Sequence, residues 1–116
     1  MLFESVLSRS RMKKGDILQV QFPFTNLQGS KQRPALVVAV EAPNVTVAFM
    51  TGTLSFKRPY DVIVQPNSLN RLSKPSLVRV VKLATIDSAL IYGRVGELTA
   101  VELQAVDAGL RQALRL

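Results

Sequence analysis

The chain has no histidine, no cysteine and no tryptophan among its 116 residues, and its eight carboxylates face fifteen Lys and Arg side chains. Without cysteine there is no disulfide, no thiol nucleophile and no thiol-linked haem. Any zinc site would have to be built from carboxylates alone, a donor set that protein zinc sites do not favour. Without histidine, a Ser-His-Asp triad and a ribonuclease-type histidine pair are both excluded. Long apolar runs are missing as well: none approaches the ~18 residues of a membrane-spanning helix. The opening Met1-Leu2-Phe3-Glu4-Ser5-Val6-Leu7 is too short for a secretory signal, and Glu4 interrupts it. Its basic residues Arg9, Arg11, Lys13 and Lys14 also follow the apolar part instead of preceding it. A cytoplasmic protein with no membrane partner is the expectation.

What is present describes a packed globule. Hydrophobic residues make up 47% and charged residues 20%, a balance that favours a core over a disordered basic tail. The length fits one domain. The net charge of +7 points to a polyanionic partner through phosphate neutralisation. Arg outnumbers Lys nine to six, which favours bidentate phosphate recognition.

The patterning is mostly that of short strands. Residues 1–11 read as an appendage, and Gly15-Asp16 turns into a segment in which Ile17, Val20 and Phe22 are interleaved with Gln19 and Gln21. Pro23 ends it, and residues 25–32 form a polar loop. Ala35-Leu36-Val37-Val38-Ala39-Val40 predicts a central strand buried on both faces. Pro43-Asn44 turns the chain into an antiparallel neighbour over residues 45–50. Further strands are predicted at 61–64, 77–81 and 91–95, with a connection over 66–75. Thr99 and Glu102 form a capping box, and Leu103, Val106, Leu110 and Leu114 make the apolar stripe of a closing helix. The fold class is mainly β with α, a small barrel with a C-terminal helix.

Most of the positive charge lies in the arm and the connections, where loops of a small barrel gather at one end. Ordinary solvated loops would have the same composition. Pro34 forces Arg33 into extended backbone at the threshold of the buried strand, where it either contacts a phosphate or pairs with a carboxylate. Gly29 and Ser30 offer backbone N–H groups and a hydroxyl, but the spacing is not that of a P-loop. Phe56-Lys57-Arg58-Pro59-Tyr60 interleaves aromatic with basic residues, as single-stranded nucleic-acid surfaces do; the alternative is that both rings anchor the loop to the core. Phe22, Phe24 and Phe49 read as core.

From Met12 onward the chain resembles the PemK/MazF toxins of bacterial type II toxin–antitoxin systems. The matching stretches are Gly15-Asp16-Ile17, Phe22-Pro23-Phe24-Thr25, Gly29-Ser30-Lys31 with Arg33-Pro34-Ala35-Leu36-Val37-Val38, and Met50-Thr51. Ser76-Leu77-Val78-Arg79, Lys82-Leu83 with Thr85-Ile86-Asp87, and Gly96-Glu97-Leu98 follow in family order. The resemblance divides the chain into an extension, 1–11, and a toxin domain, 12–116.

The resemblance implies an SH3-like barrel, a homodimer, and metal-independent cleavage of single-stranded RNA by 2′-hydroxyl attack, with no cofactor. It implies an acidic antitoxin that blocks the groove, and binding of promoter DNA only by the toxin–antitoxin complex. The family's catalytic arginine falls on Arg33 and its catalytic threonine on Thr51. Ser30, Lys31, Lys57, Arg58, Arg79 and Lys82 are expected to bind RNA, with Arg79 matching an arginine used by some members. The chain departs from the family at Val81, where some members carry an acid, and at Gly52, where a small polar residue is frequent. The absence of the histidine that some members rely on, together with Val81, leaves two alternatives: a non-enzymatic toxin on the same barrel, acting as a gyrase poison, or a catalytically degenerate relative.

Overall fold

The computed structural model describes residues 12–21 and 32–116. They form six strands and one helix: β1 (Asp16–Gln21), β2 (Gln32–Glu41), β3 (Asn44–Thr51), β4 (Val62–Val64), β5 (Ser76–Asp87), β6 (Ile91–Glu97) and α1 (Ala100–Leu114). The strands make one sheet in the order β4-β5-β3-β2-β1-β6, with every neighbouring pair antiparallel. The expected mainly-β architecture with a closing helix is present. Barrel is a loose description of it, because no ladder joins β4 to β6 among the described residues.

The free edge of β6 is covered instead of paired to β4. The Glu97 N–H donates to the Leu69 carbonyl at 3.1 Å, in the connection between β4 and β5. Gly96 permits this approach, since a Cβ there would lie 2.5 Å from the Asn70 carbonyl oxygen. A side chain at that point would push the connection off the strand.

Alternation sends apolar residues to both faces of the sheet. Ile17, Leu36, Ala48, Met50, Val78 and Val80 pack with Val106 of α1, and Leu103, Leu110 and Ala113 of the helix close over them. Leu18, Val20, Ala35, Val37, Val45, Val47 and Phe49 form a second cluster with Ile86 and Ile91. Bulges give the sheet the curl that encloses both clusters. The largest is in β5: Val78 pairs with Met50 and Leu83 with Ala48, so residues 79–82 stand opposite Phe49 alone.

The capping box forms as expected, with the Glu102 N–H donating to Thr99 Oγ1 at 3.1 Å and the Thr99 N–H to Glu102 Oε1 at 2.8 Å. The helical stripe ends earlier than expected: Val106 is fully buried, whereas Leu114 is exposed in the last turn. The fifth strand is longer than expected, running to Asp87 because pairing with β3 resumes beyond the bulge.

Candidate functional site

β2 and β3 bring the two expected catalytic residues together. Their ladder runs through Ala35↔Phe49, and two residues further on the same antiparallel register sets Arg33 across from Thr51. Both side chains line a cleft of about 290 Å³, and both also border a second depression beside it. Thr51 ends β3, where its Oγ1 accepts the Thr53 N–H at 3.1 Å, leaving the hydroxyl hydrogen free to donate. Arg33 is exposed. Among the described residues no carboxylate forms an ion pair with it, so the pairing alternative does not occur there.

The second depression is lined by Arg33, Phe49, Met50, Thr51, Phe56, Arg79 and Lys82. The β5 bulge puts Arg79 and Lys82 there, on strand residues that strict alternation would send to opposite faces. Phe56 is half exposed and Tyr60 is also exposed, so neither ring anchors the loop in the core. Phe49 is buried, as expected. Lys57 and Arg58 are exposed but do not line either depression; the Lys57 ammonium turns back to the Arg58 carbonyl at 3.5 Å. Ser30 and Lys31, with Phe22, Phe24 and Gly29, lie outside the described residues. Val81 is exposed in the bulge.

Arg79 is held from behind by Asp61. Its Nε lies 2.8 Å from Asp61 Oδ2, a carboxylate that is 1% exposed. The contact is an ion pair without an aligned hydrogen bond. Asp61 also accepts the Arg58 N–H at 2.9 Å and the Val80 N–H at 3.2 Å. One buried carboxylate thereby fixes the bulge, the preceding loop and a cation of the site.

The opposite wall comes from the connection between β4 and β5, through Arg71, Leu72, Ser73 and Lys74. Arg71 adopts a left-handed backbone, φ 58°, which costs a non-glycine residue roughly 1–2 kcal/mol. Its neighbour enforces the turn. Asn70 is fully buried; its Oδ1 accepts the Asn67 and Leu72 N–H groups, both at 3.0 Å, and its Nδ2 donates to the Gln65 carbonyl at 2.8 Å and to Glu102 Oε2 at 3.2 Å. The Lys74 side chain crosses over Gly52: a Cβ on Gly52 would lie 2.3 Å from Lys74 Cε and 2.7 Å from Nζ. The glycine after Thr51 thus makes room for a lysine.

Neither Arg71 nor Lys74 is among the residues expected in the site. No local motif marks them, because Arg71 reaches the cleft through a turn that sequence favours for Gly or Asn. Together Arg33, Arg71, Lys74, Arg79 and Lys82 line the two depressions, and no carboxylate does. Apart from Asp61, which pairs with Arg79 from behind, the described carboxylates lie elsewhere. Asp16 and Glu97 bind Lys13 and Arg94, Asp107 binds Lys14, and Glu102 caps the helix. Asp87 accepts the Ala89 N–H, and Glu41 lies at the β2–β3 turn. Lys13 and Lys14, expected as arm charges, are therefore already neutralised. The hydrogen bond from Lys13, at 2.6 Å, is the main cause that holds the Glu97 carboxyl below its ordinary value; reciprocally, Glu97 first and Asp16 second raise Lys13.

Such an arrangement stabilises extra negative charge on phosphorus. A guanidinium fork supplies preorganised donors for a phosphorane, and a threonine hydroxyl supplies one more. No side chain that is a base at neutral pH stands in the described cleft.

Comparison with known proteins finds relatives of the whole chain. The protein named Endoribonuclease MazF6 of Mycobacterium tuberculosis is 29% identical over 117 aligned residues, covering 96% of this chain and 99% of that one. Endoribonuclease MazF2 of Mycobacterium bovis matches to the same extent. Among solved structures, the Mycobacterium tuberculosis toxin MazF-mt6 superposes with a TM-score of 0.69 at 28% identity, over 87% of this chain and 97% of that one. MazF from Deinococcus radiodurans superposes at 0.70 with 20% identity, over 90% and 97%, a likeness of fold. The family model for the PemK-like, MazF-like toxin of type II toxin–antitoxin systems matches residues 13–114, and the chain belongs to that family.

Proposed function

We propose that the protein is the toxin of a type II toxin–antitoxin system and acts as a metal-independent endoribonuclease on single-stranded RNA. The observation that supports this most is the meeting of Arg33 and Thr51 in one cleft lined by cations and, among the described residues, by no carboxylate. In this reading the 2′-hydroxyl attacks the adjacent phosphorus, the P–O5′ bond breaks, and the products carry a 2′,3′-cyclic phosphate and a 5′-hydroxyl. Arg33 binds the non-bridging oxygens as charge builds on them. Thr51 donates to the scissile phosphate or to the 2′-oxygen. An arginine pKa above ~12 excludes Arg33 as general base at neutral pH, so the rate enhancement comes from positioning and electrostatics.

Arg79, Lys82 and Phe56 extend the surface along the strand, and Lys57, Arg58, Ser30 and Lys31 complete the RNA-binding set. An acidic antitoxin would compete for the same cations, and the toxin–antitoxin complex, not the toxin alone, would bind promoter DNA. The working unit is a homodimer in the cytoplasm, built from the domain 12–116 with 1–11 as an extension. No described helix is long and apolar enough to cross a membrane.

The test is cleavage of a mixed single-stranded RNA pool in excess chelator, with end analysis of the products. Arg33→Ala should lower the rate about 10²–10³-fold while the protein stays folded. Equal cleavage by wild type and variant would remove Arg33 from the mechanism. No cleavage of any RNA, with poisoning of gyrase, would replace the enzyme by the binding toxin.

A further inference from the structure

We propose that Arg71 and Lys74 form a second phosphate-binding subsite, which holds the RNA phosphate next to the one being cleaved. The inference rests on the ribonuclease reading and deepens it. The Lys74 side chain runs over Gly52, whose missing side chain leaves room for it, so its ammonium lies beside the residue that follows Thr51. Arg71 reaches the same cleft from a left-handed turn that a glycine would adopt without strain. The turn is set by the Asn70 hydrogen bonds and by the Arg71 N–H, which donates to the Asn67 carbonyl at 3.0 Å. Two features of the fold thus bring positive charge to one wall.

Nothing described neutralises that charge. Neither residue forms an ion pair among the described residues, and the cleft between them and Arg33 has Gln19, Gln32, Thr51, Ser73 and Ser76 as its polar lining. A wall of N–H and O–H donors without a carboxylate fits a phosphodiester. Arg33 and Thr51 occupy one phosphate of the chain, and Arg71 and Lys74, which line the same cleft of about 290 Å³, are placed to meet its neighbour. The subsite carries no base readout; it adds affinity for the RNA backbone equally in the ground state and the transition state.

The experiment uses an RNA oligonucleotide spanning a cleavage site mapped on the wild-type protein, both intact and with a 2′-deoxy sugar at the attacking position. Arg71→Gly and Lys74→Ala should each weaken binding of the deoxy oligonucleotide about tenfold. Each should raise KM on the intact RNA and leave kcat unchanged, the signature of lost uniform binding. Each should also lower the slope of log affinity against log salt by about 0.7, the value for one phosphate contact on a single strand. Arg71→Gly should melt no lower than wild type, because glycine suits the left-handed turn.

Gly52→Ala should imitate Lys74→Ala by displacing the lysine, and should add nothing further in a Lys74→Ala background. Unchanged KM and salt slope in both cation variants would overturn the subsite. So would loss of binding to an acidic protein partner with RNA binding retained, because the wall would then belong to that partner. A wild-type protein that cuts no RNA fails the ribonuclease reading, a result distinct from a wild type that cuts and variants that match it.

Discussion

The amide of Asn70 donates to Oε2 of Glu102 at 3.2 Å, linking the loop that carries Arg71 and Lys74 to the first turn of α1. The same carboxylate accepts Asn67 Nδ2 at 3.1 Å, while its other oxygen caps the helix. Asn70→Ala would leave the Gln65 carbonyl and the Asn67 and Leu72 N–H groups without their partner. We expect it to destabilise the protein by about 1–3 kcal/mol and to raise KM by releasing the cleft wall. Denaturant melts with RNA binding in parallel check both; an intact KM in a destabilised protein would separate the turn from the site.

Asp61→Asn keeps the shape of the buried group and removes its charge. The expected result is weaker RNA binding, since Arg79 loses the anion that orients it, together with a loss of stability of about 1–3 kcal/mol. If Arg79 is held by packing alone, KM will not change, and titration of RNA onto the variant will show it.

The pH dependence of cleavage is expected to lack the acidic limb of a bell. No histidine exists and no described carboxylate borders the cleft, so no group titrating between about pH 5 and 7 controls the rate. Single-turnover rates on one oligonucleotide should rise steadily with pH. An inflection near pH 6 would mean that a carboxylate of raised pKa takes part.

Stability follows a different pH rule. Glu97 is held below its ordinary 4.5, chiefly by its hydrogen bond from Lys13, so its contribution is present above pH 4.5 and is lost as pH falls through the lowered folded value. Lys13 is raised above its ordinary 10.5, so its contribution is present below pH 10.5 and is lost as pH rises through the raised value. Thermal melts should show a plateau between those limits. Glu97→Gln should flatten the acid side; an unchanged acid slope would show that this pair does not contribute.

Much of the frame was legible in the sequence. β1 to β3 follow from period-2 alternation and the apolar run at 35–40, and the capping box placed the start of α1. Arg33 and Thr51 were singled out through the family pattern, and their meeting in one cleft needs only strand register. The full length of β5 was not legible, because the bulge at residues 79–82 breaks the alternation that marks a strand. The wall formed by Arg71 and Lys74 was not legible either. One depends on a left-handed arginine and the other on contact with a glycine twenty-two positions earlier, and neither leaves a local signal.

The latch between Asn70 and Glu102 also orders events in time. Arg33 and Thr51 leave the ribosome early, but the carboxylate that braces the facing wall is made only after all six strands. A chain stopped at Glu97 would carry Arg33 and Thr51 and lack that brace together with all of α1. It is expected to cut RNA poorly, so an interrupted copy of this toxin would spare the cell that was making it.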